Sequence, residues 1–325
     1  MNFIFFGTNR FSAIVLEGLI KAGFTPSALV TAPDALVGRK QIPTASPAKL
    51  VAQQHGIAVL QPESLKKDPT IAGQIASYKL EFAVVAAYAK LIPQSMLDLF
   101  PRQALNVHPS LLPLWRGPSP IESAIMHSDS QTGITIIVLD QDMDHGPMLA
   151  QEKTTIGPDE YFEPLYERLA VQGAELLIKT IPQWLAGKVS PIAQDHAKAT
   201  FSKKLSWQDG KLDAAMSVHD AYNRVRALSF EPGTWIEIPF PTKAKGLTTN
   251  GEYKPVALKI LKAKPMPVSD LRFTIYDLRN NLKEINKKLC FACRDGYLEL
   301  ETVQPQSGKS MSGSAFLNGY RAKLG

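Results

Sequence analysis

Residues 82–86 read Phe82-Ala83-Val84-Val85-Ala86, an apolar stretch without a single polar interruption. A strand that is apolar at every position is covered on both faces, which is typical of a central strand in a parallel sheet. Further strand-like segments occur at Phe3–Phe6, Ala104–His108 and Gly133–Leu139, with helix-like segments between them. This alternation predicts an open α/β sheet with helices on both faces. Ligands of such sheets bind beyond the carboxyl ends of the strands.

The remaining elements divide the chain into two regions. The polar stretch 187–204 lacks a clear period and indicates a linker, after which a helix at Asp213–Leu228 and short strands with turn signals predict a small β-barrel. We expect a first domain at 1–187, a linker at 188–205 and a second domain at 206–325. The other predicted elements are strands at Ser27–Thr31 and Ile57–Leu60, and helices at Phe11–Ala22, Pro47–His55, Pro93–Leu99 and Tyr161–Leu185, the last interrupted near Pro182.

Bulk composition excludes several classes of protein. Hydrophobic residues make up 45% of the 325 residues and charged residues 20%, which is ordinary for a globular protein. No apolar run approaches the roughly 18 residues of a membrane helix, and the first residues lack the basic start of a signal peptide. Two cysteines, Cys290 and Cys293, are too few for a disulfide framework, so we expect a cytoplasmic protein. Their spacing matches half of a zinc site, although plain thiols are the simpler interpretation.

Positive charge is concentrated in the second part of the chain. Residues 1–190 hold 15 Lys and Arg against 17 Asp and Glu, whereas residues 191–325 hold 21 against 13. The second part therefore carries a net charge of +8 and the first −2. Such an asymmetry indicates a polyanionic partner, although a lysine-rich solvated surface would give the same count.

Polar residues that can do chemistry end the strand Ala104–His108. Asn106 and His108 are two residues apart, so on an extended chain they point to the same side. An amide donor and an imidazole then converge where an α/β sheet keeps its site. Pro109 and Pro113 fix the backbone of the loop that follows and preorganise these groups.

An acidic loop follows the strand Gly133–Leu139. Asp140, Asp142 and Asp144 come directly after this apolar strand, where burial without a partner would be costly. A solvated loop, a helix cap or a carboxylate metal site would also explain them. Their position in the same sheet as Asn106 and His108 favours a catalytic site.

Together these motifs resemble the signature of the folate-dependent formyltransferases. The signature is Asn106-x-His108-x-Ser110-Leu111-Leu112-Pro113, followed by Arg116-Gly117 and a distant Asp-x-x-x-Asp ending at Asp144. The stretches 229–235 and 303–311 resemble the start and end of the C-terminal domain in family members that act on methionyl-tRNA. His145 and Trp207 depart from the family pattern, where a small polar residue and a linker lysine are usual. The second departure puts one contact with tRNA in doubt.

The resemblance implies the fold, the reaction and the cofactor. The expected fold is a Rossmann-like N-terminal domain followed by an OB-like barrel that binds tRNA. The expected reaction is transfer of the formyl group of 10-formyltetrahydrofolate to the amine of methionine on initiator tRNA, with Asn106, His108 and Asp144 as catalytic residues and no metal. We expect a monomer with no membrane partner. The residues expected at the folate are Ala87, Tyr88, Leu91, Ile92, Ser110, Leu111, Leu112, Pro113, Asp140 and Asp142.

A long loop and a few basic residues are expected to contact tRNA. The loop Asp34–Ser46 is long for a strand-to-helix connection, and the family uses it to reach the acceptor end of tRNA. Arg39 is assigned to this contact with support from Lys40, and Lys203 and Lys204 are added from the linker. Arg116 is expected either to orient substrate or phosphate, or simply to pair with a carboxylate.

Three other functions remain open at this point. A formyltransferase acting on a small amine, or a formyl-folate hydrolase, would share the catalytic motif but not the C-terminal ending. A nicotinamide oxidoreductase is disfavoured because the first strand is not followed by a Gly-x-Gly-x-x-Gly turn. A non-catalytic RNA-binding protein would explain the basic second part but not Asn106, His108 and Asp144.

Overall fold

The computed structural model describes residues 1–37, 41–239, 255–266, 275–278 and 281–324. Its contacts divide the chain into two compact units. Two short segments from the first half of the sequence are grouped with the second unit. The first unit comprises Met1–Ile121, Ser130–Ile156 and Pro164–Lys203, and the second comprises Glu122–Asp129, Gly157–Glu163 and Lys204–Gly325.

The first unit is built on a seven-stranded sheet. Its strands are β1 (Phe3–Gly7), β2 (Ala28–Val30), β5 (Ala58–Leu60), β6 (Phe82–Ala86), β7 (Ala104–His108), β8 (Gln131–Val138) and β9 (Met148–Thr155), while β3 (Ala35–Val37) and β4 (Ile42–Thr44) form a separate hairpin. The spatial order is β5-β2-β1-β6-β7-β8-β9. The five strands from β5 to β7 are parallel, which confirms the predicted Rossmann-like sheet. In contrast, β8 runs antiparallel to β7, and β9 runs antiparallel to β8.

Helices cover both faces of this sheet. They are α1 (Arg10–Lys21), α2 (Pro47–Gln54), α3 (Ile71–Ser77), α4 (Gln94–Leu97) and α6 (Phe162–Leu185), whereas most of α5 (Pro120–Met126) is grouped with the second unit. On one face α6 lies so close to β7 that a Cβ on Gly173 would be 2.8 Å from Val107 Cγ1. On the other face, residues of α3 and α4 pack with Ala104 and Phe6 in one apolar cluster. The side chains of β7 therefore alternate between two covered faces, as its period of two requires.

Two predicted helices differ from those observed. The sequence predicts a break near Pro182, but α6 runs unbroken to Leu185. Proline costs the helix one N–H bond, and here it falls in the last turns, where Ala186 N–H still bonds Pro182 O at 3.1 Å. The helix predicted to begin at Asp213 instead begins at Val218 as α7 (Val218–Ala227), because the Ser217 side chain caps it.

The second unit is an antiparallel sheet with helices. Its core joins side chains of α7 and α8 to the inner face of the sheet. The observed sheet is consistent with the predicted OB-like fold. The spatial order is β10-β11-β15-β14-β13-β12, with β16 paired to β15. The elements are β10 (Thr234–Pro239), β11 (Pro255–Pro265), β12 (Ile275–Asp277), β13 (Leu282–Ile285), β14 (Lys288–Cys293), β15 (Gly296–Pro305), β16 (Met311–Ser312) and α8 (Gly313–Leu324).

Both cysteines lie on β14 as free thiols. They are three positions apart on a strand, so their side chains leave opposite faces. Burial raises the pKa of each thiol to about 12, which leaves almost no thiolate near neutral pH. Plain thiols therefore fit the structure better than half of a zinc site does. Within the described ranges, no three His, Cys, Asp or Glu side chains come together in a group that could hold a metal ion.

No helix among the described residues is both long enough and apolar enough to span a bilayer.

Candidate active site

Asn106 and His108 lie on the same face of β7, as the sequence predicts. Their strand is hydrogen-bonded to β6 on one side and to β8 on the other, which fixes both backbones in the middle of the sheet. Asn106 is 8% exposed and His108 is 4% exposed. Between them Val107 points to the opposite face, toward α6. The strand therefore presents two buried polar side chains on a rigid support.

Asp144 reaches these two residues from an unexpected direction. Because β8 is antiparallel to β7, its carboxyl end lies beside Ala104, at the opposite edge of the sheet from His108. The loop between β8 and β9 then folds back, which Gly146 permits, since a Cβ there would lie 1.8 Å from Val138 O. Asp144 therefore reaches Asn106 and His108 by a return of the loop, since the carboxyl ends of β7 and β8 lie at opposite edges of the sheet.

The carboxylate of Asp144 nevertheless lies close to both polar side chains of β7. Its Oδ1 lies 3.4 Å from Asn106 Nδ2 and 3.5 Å from His108 Nδ1. Both distances are longer than the 2.7–3.2 Å of a usual N–H···O bond. The backbone of Asp144 has a φ of 51°, in the left-handed region that non-glycine residues rarely adopt. An outlier of this kind beside buried polar groups is typical of a functional site.

The segment 115–117 contacts both members of the His108–Asp144 pair. Trp115 O lies 3.0 Å from His108 Nε2, and Gly117 N–H donates to Asp144 Oδ2 at 2.8 Å. A carbonyl oxygen can only accept, so His108 makes a hydrogen bond to Trp115 O in the neutral tautomer that carries its proton on Nε2. Its Nδ1 then presents a lone pair next to the Asp144 carboxylate. This arrangement leaves Nδ1 as the ring atom that can take up a further proton.

A second segment, Gln194–Ser202, holds residues 115–117 in place, and we call it the support segment. Arg116 N–H donates to Thr200 O at 2.9 Å, and Ser202 N–H donates to Arg116 O at 2.7 Å. The Thr200 hydroxyl also accepts from Trp115 N–H at 2.9 Å. Part of the stretch that the sequence indicates as a linker is therefore packed against residues 115–117, and the first unit extends to Lys203.

Arg116 lies inside this arrangement and not at the surface. Its residue is 4% exposed, and its guanidinium donates to Gln194 Oε1 from Nε at 3.1 Å and from Nη2 at 2.7 Å. The same Nη2 lies 2.8 Å from His196 Nδ1. His196 in turn stacks on His145, with ring centroids 4.1 Å apart. Of the two roles expected for Arg116, pairing with a carboxylate is not the one observed among the described residues, because the guanidinium donates to a neutral amide.

Sequence reasoning missed Gln194, Thr200 and Ser202. Polar residues in an aperiodic stretch are typical of solvated loops, so burial of Gln194 has no signature in composition. The alternation Thr200-Phe201-Ser202 is the one available signal, because it matches a short extended segment, and Phe201 indeed pairs with Arg116 as an isolated bridge. The contacts of these three residues are with loops far away in sequence, which contain Arg116 and Asp144.

The residues expected at the folate divide into two groups, and the first lies after β6. Ala87 has a φ of 46°, and Leu91 is 81% exposed, which is unusual for leucine. Tyr88 packs edge-on against Phe6 at 5.5 Å, and its buried hydroxyl has no hydrogen-bond partner among the described residues. Burial raises the pKa of this phenol to about 12. Ile92 belongs to the same apolar cluster as Tyr88.

The second group lies in the loops after β7 and β8. Ser110 is fully buried, and its hydroxyl donates to Leu114 O at 2.6 Å, so it shapes the loop. Leu112 is also buried, and its N–H donates to Thr135 Oγ1. Asp140 accepts from His145 Nδ1 at 2.7 Å and Asp142 is exposed. Leu111 and Pro113 lie in the same loop as Ser110.

The residues expected at tRNA are less well defined by the structure. Arg39 and Lys40 lie outside the described residues. Lys203 and Lys204 are exposed and directly follow the support segment. Trp207, which stands where a lysine is usual, stacks on Trp235 with ring centroids 5.2 Å apart.

A lysine still accompanies Trp207. The ammonium nitrogen of Lys259 lies 5.2 Å from the centroid of its ring. An ammonium over an aromatic face is held there by a cation–π attraction. The position of Trp207 is thus linked to a positive charge from β11.

Comparison with known proteins bears on both units. The formyl transferase family profile matches residues 1–181, and the profile of the formyl transferase C-terminal domain matches residues 204–321. The methionyl-tRNA formyltransferase of Roseiflexus castenholzii is 34% identical over 99% of this chain and 96% of its own length. That of Dictyoglomus turgidum is 37% identical over 100% and 98%.

A solved structure is similar in fold at much lower identity. The N-formyltransferase from Helicobacter canadensis, in complex with folinic acid and dTDP-3-aminofucose, has a TM-score of 0.62 and 17% identity. The match covers 94% of this chain and 99% of that protein. At this identity the likeness speaks for the fold alone. From the two profiles and the full-length relatives, the chain belongs to the formyl transferase family.

Proposed function

We propose that the protein transfers the formyl group of 10-formyltetrahydrofolate to the α-amino group of methionine carried by initiator tRNA. The observation that carries the chemistry is the convergence of Asn106, His108 and Asp144, with Asp144 Oδ1 within 3.5 Å of both partners. The choice of substrate is supported by the relatives named methionyl-tRNA formyltransferase, which match the chain over its whole length.

The catalytic roles follow from the positions of the three polar groups. The nucleophile is the amine of the substrate, so the reaction needs no covalent bond to the protein. When the amine attacks, negative charge develops on the formyl oxygen, and Asn106 Nδ2 can donate to it. The bond between the formyl carbon and N10 of the folate would then break, and the proton that the amine loses would pass to N10 as tetrahydrofolate leaves. A donor of this kind contributes about 10²–10³ in rate.

His108 and Asp144 are suited to take the proton that the amine loses. In the neutral tautomer that donates from Nε2 to Trp115 O, the lone pair is on Nδ1. A proton bound at Nδ1 lies next to the Asp144 carboxylate, which stabilises the charged ring. His108 Nδ1 is therefore the proposed general base, and Asp144 the group that stabilises its charged form.

The residues after β6 fit a folate. Tyr88 offers a buried hydroxyl without a partner among the described residues, and a ligand could satisfy it. The exposed Leu91 offers apolar area next to it. Asp140 and Asp142 stand in the loop that carries Asp144. When bound, the folate supplies the activated formyl group, while Asn106 and His108 act on it.

Contact with tRNA is proposed for the basic residues that can reach it. Lys203 and Lys204 are exposed, and Arg39 with Lys40 is kept from the family resemblance. Arg116 is reassigned, because a guanidinium buried against Gln194 supports the site from within. We further propose that the protein acts as a monomer in the cytoplasm, which sedimentation of the purified protein and fractionation of cells would test.

A transfer assay separates this function from its rivals. The protein is given 10-formyltetrahydrofolate with charged initiator tRNA, with an amino-sugar nucleotide, or with water alone. We expect formyl-methionine to form on the tRNA at a kcat/KM at least about a hundredfold above that for the sugar. Equal or faster transfer to the sugar, or release of formate in the absence of an acceptor, would assign the protein to one of the rival reactions.

A further inference from the structure

Gln194 is a buried amide whose hydrogen-bonding capacity is fully used. It is 4% exposed. Its Nε2 donates to Asp144 O at 2.9 Å and to Gly146 O at 2.7 Å. Its Oε1 accepts from Arg116 Nε at 3.1 Å and from Nη2 at 2.7 Å. A carboxamide has two N–H donors and two acceptor lone pairs, so these four bonds satisfy it completely.

The two carbonyls that Gln194 binds lie on either side of His145. They therefore fix the backbone of the loop next to the Asp144 carboxylate, where φ is 51°. A left-handed conformation at a non-glycine residue costs free energy and persists when its surroundings hold it. The carboxylate itself is fixed by Gly117 N–H at 2.8 Å. Asp144 is thus held at its backbone by Gln194 and at its side chain by Gly117.

Arg116 connects these two attachments. It precedes Gly117 in the chain, and its guanidinium holds the oxygen of Gln194. Asp144, Gln194, Arg116 and Gly117 therefore form a closed ring of contacts around the catalytic carboxylate. In a buried network of this kind, losing one member leaves the others unsatisfied and shifts them together.

We propose that Gln194 is a positioning residue for formyl transfer, and that it acts by holding the Asp144 loop so that the carboxylate faces His108. This inference rests on the proposed function, since it names the group that positions the carboxylate of that reaction. Gln194 has no contact with the reacting atoms in this arrangement. Its effect on rate passes entirely through Asp144.

The substitution Gln194→Glu separates positioning from folding. The glutamate keeps the acceptor for Arg116 and gains an ion pair with it, so the anchoring inside the unit is retained. It loses both N–H donors and directs an oxygen at the carbonyls of Asp144 and Gly146. We expect kcat for formyl transfer to fall by about 10²-fold, as a misplacement of about 1 Å produces. The KM for the folate is expected to change less than about threefold.

A double-mutant cycle tests whether the effect passes through Asp144. In the Asp144→Asn background, Gln194→Glu is expected to lower kcat by less than about threefold, because the charge that it positions is already lost. An equal loss in both backgrounds would overturn the inference. So would a kcat within threefold of wild type for both Gln194→Glu and the isosteric Gln194→Met.

Amide exchange gives a readout that does not need the proposed substrate. Gly117 N–H donates to Asp144 Oδ2, so its exchange with solvent reports where the carboxylate lies. We expect exchange at Gly117 to be at least about tenfold faster in Gln194→Glu than in wild type. Gln61→Met, compared with Gln194→Met, is the control, because Gln61 Nε2 also donates to a carbonyl, that of Ala32 at 2.9 Å, and methionine places no second carboxylate beside Asp34. It should leave Gly117 exchange unchanged.

The outcomes distinguish the inference from the function. If wild type fails to formylate methionyl-tRNA but Gln194→Glu still accelerates exchange at Gly117, the function is wrong and the positioning stands. If turnover falls while Gly117 exchange is unchanged, the positioning is wrong. If neither Gln194→Glu nor Gln194→Met folds, amide exchange in the wild-type protein tests the inference. A side-chain amide of Gln194 that exchanges at the rate of a solvated glutamine would overturn the inference.

Discussion

The strand Ala104–His108 and the support segment Gln194–Ser202 meet at one site and serve it in opposite ways. The strand supplies Asn106 and His108, to which we assign the chemistry in the proposed function, and the sheet fixes its backbone on both sides. The support segment supplies no reacting group. It forms hydrogen bonds to the backbone of Arg116, and its Gln194 side chain donates to the carbonyls of Asp144 and Gly146. Two of the three proposed catalytic residues thus lie on a strand, whereas the third, Asp144, lies in a loop whose geometry depends on an irregular segment far away in sequence.

The largest loss is expected from the residues that carry the chemistry. His108→Ala and Asp144→Asn should each lower kcat by about 10³-fold or more, because the general base or the group that stabilises its charge is removed. Single-turnover kinetics with charged initiator tRNA would measure the effect, and thermal unfolding would show whether the fold is retained. His55→Ala is the control, since the Nε2 of His55 lies 3.0 Å from Glu17 Oε2 and belongs to a different set of contacts. Near-normal turnover in either variant would exclude that residue from catalysis.

Gly117→Ala should come next, because Gly117 lies where the two regions meet. Its φ is 108°, and an added Cβ would lie 2.7 Å from Ser202 O, a backbone atom that cannot easily move. The N–H that binds Asp144 would then be displaced, and we expect kcat to fall by about 10²-fold. The control is Gly23→Ala, where φ is 86° but nothing lies within 4 Å of the new Cβ. It should lower the unfolding temperature and leave kcat unchanged. If both variants lose activity equally, the effect is one of stability.

Thr200→Val tests the support segment with a smaller change. It keeps the volume of the side chain and removes the acceptor for Trp115 N–H, which is 2.9 Å away. Losing one such bond costs about 1 kcal/mol, so we expect a loss of about fivefold in kcat. The matched control is Thr180→Val, which removes a buried bond to Leu176 O within α6. It should cost similar stability in urea unfolding without affecting kcat. An unchanged kcat in Thr200→Val would show that the site keeps its geometry without the hydrogen bond between Trp115 and Thr200.

The sequence predicted the two regions very unequally, for a physical reason. The strand is visible because apolar residues surround two polar ones at a spacing of two, and this pattern has one interpretation in a buried sheet. The fold-back of the Asp144 loop was not visible, since whether β8 runs parallel or antiparallel depends on its partners. The one sequence feature that reflects this fold-back is Gly146, because a Cβ there would overlap Val138 O.

From its own residues, the support segment could be predicted only as far as the short extended piece at Thr200–Ser202. Gln194 is buried only because two carbonyls of another loop and Arg116 surround it. A hydrogen bond to a backbone carbonyl makes no demand on the residue type of its acceptor, so no pairing can be read from the sequence. Which residues of the predicted linker pack against the site is therefore decided by contacts that form only in the folded chain.

The smallest effect is expected just beyond the support segment, at Lys203 and Lys204. Both residues are exposed and lie where the chain passes from the first unit to the second. If they contact tRNA phosphates, replacing both by alanine should reduce the slope of log affinity against log salt by about two, roughly one for each charge.

Turnover at saturating tRNA should stay within about twofold of wild type, because the support segment ends before these side chains. Filter binding at several salt concentrations would measure the slope. The pair Lys66→Ala and Lys67→Ala is the matched control, since it removes two adjacent exposed charges from the first unit, which lies in the part of the chain with a net charge of −2. A slope that falls equally in both pairs would mean that tRNA senses only total charge. A fall in kcat with an unchanged slope would instead extend the support segment through Lys204.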